Sequence, residues 1–169
     1  MRFLKPAMVI GSAAVLVVGL AGPANADRDT AVDIRGDARA SLDVTKVHFR
    51  HNADGAYAKT HVRNLRKRGQ FVFAVANRSN SLRFGVAATG HRDGSVTKKF
   101  YRYRNGNLTR VPCRAARVRW KPRRDTVTMT FPNRCFRRLP DRIVMAVGST
   151  RNFPNGPTVD QGPTVVLGR

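Results

Sequence analysis

The chain has 169 residues, with 32 lysines and arginines against ten acidic residues and a formal net charge of +22. That length suits a single domain, and a charge of that size produces a field that attracts polyanions whatever its origin. All ten acids are aspartate and there are two cysteines, so glutamate-based carboxylate pairs and a free cysteine nucleophile drop out of the enzymatic possibilities.

Residues 1–26 read as an export leader. Arg2 and Lys5 form a positive start, Ala7 to Gly22 is uncharged and apolar, and Ala24-Asn25-Ala26 is an A-x-A cleavage pattern. The apolar run is short for a membrane span, which needs about 20 residues. No twin arginine is present, and no cysteine stands near the cut to carry a lipid. The expected mature domain is 27–169, secreted and extracellular, with its net charge reduced to +20 by loss of Arg2 and Lys5. Arginine outnumbers lysine 25 to 7. A GC-rich genome produces that bias, and so does selection for polyanion binding.

Asp27 to Ala40 is polar and irregular in pattern. Asp33, Asp37 and Asp43 offer hard oxygen ligands near Gly36, but their spacing matches no EF-hand loop, so a solvated N-terminal loop is the preferred reading. Leu42 to Phe49 predicts a first strand. His51 to Gly55 predicts a turn, and Ala56 to Val62 a second strand. His48, His51 and His61 surround this hairpin. Such residues ligate zinc or copper, yet no cysteine or glutamate joins them, and outward polar side chains are the reading adopted. No metal or other cofactor is expected.

Arg63 to Gly69 is a basic connector. Gln70 to Ala76 is apolar on both faces, as a central strand is. Leu82, Phe84, Val86 and Ala88 alternate as a fourth strand after the Asn77–Ser81 turn. His91-Arg92-Asp93-Gly94 turns the chain into Lys98–Arg104, and Asn105-Gly106 is a hairpin signal. Asn77-Arg78-Ser79 and Asn107-Leu108-Thr109 fit the glycosylation pattern, which matters only in a eukaryotic secretory route.

The segment between Cys113 and Cys135 organises the rest. Ala116, Val118 and Trp120 alternate with Arg117 and Arg119; Val127, Met129 and Phe131 alternate with threonines. Period-two alternation of this kind marks strands with one buried face. Lys121-Pro122-Arg123-Arg124-Asp125 is the turn between them. The expectation is a β-hairpin closed by a Cys113–Cys135 disulfide, with two free thiols as the alternative. Placing Trp120 opposite Val127 or Met129 leaves the cysteines one residue out of step. A bulge near Pro112 or Pro132 would absorb that offset; otherwise the bridge joins strands that are not paired. Ile143–Val147 predicts another central strand. Asn152–Gly162 predicts a Pro/Gly-rich tail, and Thr164–Leu167 a short edge strand.

These elements predict an all-β fold: a single β-sandwich of about eight or nine mostly antiparallel strands with one disulfide. An up-and-down barrel is the alternative. The leader, the Gly36-Asp37 pair before Leu42-Asp43-Val44, the Arg63-Asn64-Leu65-Arg66 connector and the Cys113…Trp120-Lys121-Pro122…Pro132-Asn133-Arg134-Cys135 hairpin together resemble a loose group of small secreted proteins of actinobacteria. The opening more faintly resembles extracellular carbohydrate-binding sandwiches. The resemblance implies a secreted β-sandwich and brings no activity or functional residue with it.

Catalysis is not expected. Glycoside hydrolysis needs two placed carboxyls; the chain supplies aspartates, mostly in turns. There is no G-x-S-x-G elbow, no G-x-G-x-x-G and no phosphate loop. The charge is more informative. If each strand reverses the last, the connectors after even-numbered strands share one end: Arg66-Lys67-Arg68, His91-Arg92, and Lys121, Arg123 and Arg124. These cations form the expected polyanion site, and both cysteines fall at the other end. Tyr101, Tyr103 and Trp120 are stacking candidates, but as alternating strand residues they are read as core. The expected function is a non-catalytic binding module for an anionic polymer such as teichoic acid, acidic polysaccharide or extracellular DNA. The alternative is a structural or protein-partner role, as an inhibitor or accessory subunit, in which the basic surface reflects genome composition.

Overall fold

The computed structural model describes residues 28–33, 36, 38–136, 142–151, 153–155 and 158–167. The leader read at 1–26 lies outside the described residues, as does Asp37. Eleven strands form: β1 (Arg28–Val32), β2 (Val44–Asn52), β3 (Gly55–Val62), β4 (Gly69–Asn77), β5 (Leu82–Gly90), β6 (Val96–Arg104), β7 (Asn107–Arg110), β8 (Arg117–Lys121), β9 (Thr126–Pro132), β10 (Ile143–Thr150) and β11 (Thr158–Leu167). They build a sandwich of two antiparallel sheets, ordered β1-β2-β3-β9-β8 and β11-β10-β4-β5-β6-β7.

The strands beyond the expected eight or nine are those that alternation cannot reveal. β1 is exposed at four of its five residues and β7 at all four. Both are held by backbone pairing to β2 and β6 rather than by a buried face. β11 begins at Thr158, inside the stretch expected to be a tail, and carries Gly162 and Pro163 within it. Proline is tolerated there because β11 is the edge of its sheet, and its register with β10 shifts beside that point. The Asn105-Gly106 turn forms as expected, with φ of 49° and 82°, the left-handed pair of a tight hairpin.

The central hairpin also forms. Trp120 faces Val127 and Val118 faces Met129. Cys113 and Cys135 are bridged, with Cα atoms 5.6 Å apart. The expected bulge is absent from the β8–β9 ladder. Pairing instead stops at Arg117–Thr130, and a single 3-10 turn, Asn133–Cys135, carries the second cysteine back to the first.

Inward-facing residues of both sheets meet in one core. Phe73 stacks on Phe131 with ring centroids 4.6 Å apart, and Phe136 packs against Phe131 at 4.8 Å and Phe84 at 5.2 Å. Tyr101 is buried, Tyr103 is partly buried under the Arg83 guanidinium at 4.5 Å, and Trp120 packs edgewise on Phe71. Trp120 packs against the core as expected, whereas Tyr101 and Tyr103, one residue out of phase with the core residue Phe100, lie on the outer face of the six-stranded sheet, Tyr101 against Phe153. Two polar residues depart from expectation. His51 lies within β2, one residue before its end, rather than opening a turn, and it points inward with 1% exposure. Asp43 is fully buried rather than solvated; it accepts from Arg63 Nε at 2.8 Å and from the Gly36 amide at 3.1 Å.

Candidate functional site

Strand direction decides which connectors meet. β3, β5, β8 and β10 all run toward the end of the sandwich where Gly69 pairs with Gly90 and Lys121 with Thr126. The extra strand β7 does not upset this order. It runs antiparallel to β6, and the crossover to β8 in the other sheet keeps the direction.

At that end the 63–68 connector is pinned at four points, and the last residue of β3 at a fifth. Val62 N donates to Asp125 O at 2.9 Å, Arg63 N to Asp43 O at 3.0 Å and Asn64 N to Ala40 O at 3.1 Å. Leu65 N donates to Asp125 Oδ1 at 2.9 Å, and Trp120 Nε1 donates to Arg66 O at 2.8 Å. Leu65 is buried while Arg66, Lys67 and Arg68 are exposed. The backbone is thus fixed and the three cations project outward from it. Gly90 is required where β5 enters this region, since a Cβ there would lie 2.9 Å from the Trp120 indole and collide with the Lys67 carbonyl.

Arg66, Lys67, Arg68, His91 and Arg92 line one open groove of about 1010 Å³. Arg39 and Arg151 line it too, and among the described residues no carboxylate does. Lys121, Arg123 and Arg124 are exposed on the neighbouring turn but do not line the groove. Arg39 and Arg151 were missed by the sequence reading although the same alternation rule reaches them. Arg39 precedes the first alternating strand, and Arg151 follows the even-numbered strand now labelled β10, so both fall at this end.

The described acids nearby, Asp93 and Asp125, are committed elsewhere. Asp125 satisfies the connector backbone, as above. The Asp93 carboxylate accepts from the Ser95 hydroxyl at 2.7 Å and the Ser95 amide at 2.9 Å. These bonds hold its pKa below the usual carboxylate range. His91 Nε2 lies 3.1 Å from Thr97 Oγ1.

The other candidates do not converge. His48 and His61 are ring neighbours at 5.4 Å on the outer face of the five-stranded sheet, whereas His51 is on the inner face. Among the described residues, no group of three or more His, Cys or Asp side chains is placed to hold a metal ion. A second groove, of about 760 Å³, lies at the cysteine end and is lined by Arg114, Arg117, Arg134 and the carboxylate-bearing Asp54. No described helix is long and apolar enough to cross a membrane. No family model matches the chain, and no curated protein matches it.

Proposed function

We propose that the protein is a non-catalytic, exported binding module that holds an anionic polymer of the cell envelope or its surroundings at the basic end of the sandwich. One observation carries the reading: Arg66, Lys67, Arg68 and Arg92, from two connectors, open with Arg39 and Arg151 on a groove that no carboxylate lines among the described residues. Guanidinium groups present a planar fork that pairs two-pronged with phosphate and carboxylate. The pinned backbone places them without the cost of ordering a loop on binding. The leader and the disulfide agree with an oxidising compartment outside the membrane, where teichoic acid, acidic polysaccharide and extracellular DNA are encountered.

One observation favours the rival protein-partner reading. Arg114, Arg117 and Arg134 gather at the cysteine end as well, so cations are not confined to one site. Binding of the mature protein to teichoic acid and to DNA across a salt series separates the two. Polyelectrolyte affinity falls linearly in log–log salt. Replacing Arg66, Lys67, Arg68 and Arg92 by alanine is expected to flatten that slope by about 3. Wild type and variant behaving alike would displace the polymer reading in favour of a search for a protein partner.

A further inference from the structure

The register of the five-stranded sheet sets out a second array of charge. Residues opposite one another across a sheet share a face, so the charged outward positions fall into three rows, beyond which Asn52, Gly55 and Pro132 form an uncharged fourth. The row nearest the basic end holds Lys46, His61 and Lys121, with Val32 and Thr126. The middle row holds His48, Lys59 and Arg119, with Thr30 and Thr128. The far row holds Arg28, Arg50 and Arg117, with Tyr57 and Thr130. Side-chain contacts confirm the common face: Thr30 Oγ1 lies 2.8 Å from His48 Nδ1, and the Arg50 guanidinium sits 5.6 Å from the Tyr57 ring centre. None of these positions is acidic. Neighbouring strands lie about 4.8 Å apart, so the face is roughly 20 Å wide. Its cations stand within or near the screening length of about 8 Å, and the Asp54 carboxylate shares the cysteine-end groove with Arg117 of the far row.

This face joins the basic end. Lys121 belongs both to the nearest row and to the turn that carries Arg123 and Arg124. The preceding residue, Trp120, is bonded to the connector at Arg66 O. Positive charge therefore runs from the groove, past the turn, and onto the flat of the sheet.

We propose that the bound polymer is a flexible alditol phosphate chain, of the teichoic acid kind, lying along this path from the groove onto the outer face; the proposal rests on the polyanion reading of the basic end. The path selects against the other polyanions. It turns from the end of the sandwich onto a face, whereas duplex DNA, with a persistence length of about 50 nm, stays straight over such a distance. Single-stranded nucleic acid is held by stacking its bases on aromatic rings. On this face Tyr57 is already covered by Arg50, and Trp120 beside the groove is turned edgewise to Phe71. Sugar rings of an acidic polysaccharide ask for similar flat surfaces. What the path offers is charge, with the Thr128 and Thr130 hydroxyls as added donors, which suits phosphodiesters on a pliant backbone.

The test uses purified poly(glycerol phosphate) in short and long chains, beside duplex DNA, oligo-thymidine and a polyuronate, each across a salt series. The variant Lys59→Thr/Arg117→Thr/Arg119→Thr removes three cations of the face, all away from the groove. Threonine keeps the strand propensity, and equal thermal unfolding checks that the variant folds. Wild type is expected to hold long chains more tightly than short ones. The variant is expected to lose about 2 from the long-chain salt slope while binding short chains as wild type does. A variant matching wild type on long chains would overturn the path and leave the basic end intact. Equal or tighter binding of duplex, oligo-thymidine or polyuronate would overturn the identity of the polymer. Failure of every polyanion to bind would remove the underlying reading together with this one.

Discussion

At the residue scale, Asp125 does more for the candidate site than any of the cations. It closes the hairpin turn at φ 49°, and its carbonyl and carboxylate together hold Val62 N and Leu65 N. Those two bonds fix where Arg66 to Arg68 begin. Asp and Asn tolerate the left-handed conformation, whereas alanine pays about 1 kcal/mol or more for it. Leaving the Leu65 amide without its partner costs a further 1–3 kcal/mol or so. Asp125→Ala is therefore expected to destabilise by about 2–3 kcal/mol in urea unfolding, with an unchanged m-value. Asp125→Asn, which keeps the left-handed tolerance and an acceptor, is expected to stay within about 0.5 kcal/mol of wild type. Equal losses in the two variants would show that the side-chain bond does not hold the connector. The sequence marked Asp125 as a turn residue and no more. Its bond to Leu65 spans 60 positions, and no local pattern encodes that. The same holds for Asp43, whose partner Arg63 sits in the next connector but one.

At the element scale, the β8–β9 hairpin shows what alternation reveals and where it stops. Val118, Trp120, Val127, Met129 and Phe131 all face inward as their spacing required. The same signal located β2 to β6 and β10, because each buries one face or both. β1 and β7 bury almost nothing, so they carry no periodic signal; the Thr164–Leu167 half of β11 was legible as an edge strand, while its first half was hidden by its own glycine and proline. The basic end was legible as a consequence of strand reversal, while the exact membership of the groove was not: side-chain direction took Arg39 and Arg151 in and left Lys121, Arg123 and Arg124 beside it. The disulfide closes this hairpin over a separation of 22 residues. Restricting the unfolded chain by a loop of that size stabilises by about 3 kcal/mol. Cys113→Ser/Cys135→Ser is expected to lose about that much in urea unfolding. The β8 edge, whose inner face is only partly buried, should be the first segment to exchange its amide hydrogens. Unchanged exchange in β8 would mean that its pairing to β9 holds without the bridge.

At the scale of the whole molecule, the cations gathered on the outer face make both stability and binding depend on pH, with opposite signs. His48 and His61 sit in the middle of the outer face, and both have pKa values below the ordinary value of about 6.5. Desolvation is the largest cause for each, followed by Lys46 and Lys59 for His48 and by Lys59, His48 and Lys46 for His61. Arg50 adjoins His48 on β2, Thr30 faces it from β1, and Arg119 and Lys121 close the two rows from β8; no carboxylate faces the pair from any of these strands. With the folded pKa depressed, the unfolded chain binds more protons than the native one as pH falls through about 6.5. Stability is therefore full above that pH and declines as the solution is acidified toward the folded values. Binding of a phosphodiester chain runs the other way. The polymer keeps its charge over this range, each histidine that protonates adds a cation to the face, and the bound anion raises the histidine pKa, so binding takes up protons. Between about pH 7.5 and pH 5, the urea midpoint is expected to fall while affinity for long poly(glycerol phosphate) chains rises at constant ionic strength. His48→Gln/His61→Gln should flatten both trends, and short chains that reach only the groove should show neither the rise nor its loss in the variant. Asp93 titrates below this window, because Ser95 holds its pKa under the usual carboxylate range, so it leaves the comparison undisturbed. A long-chain affinity that stays flat with pH while stability declines would place the histidines in the fold and the polymer elsewhere.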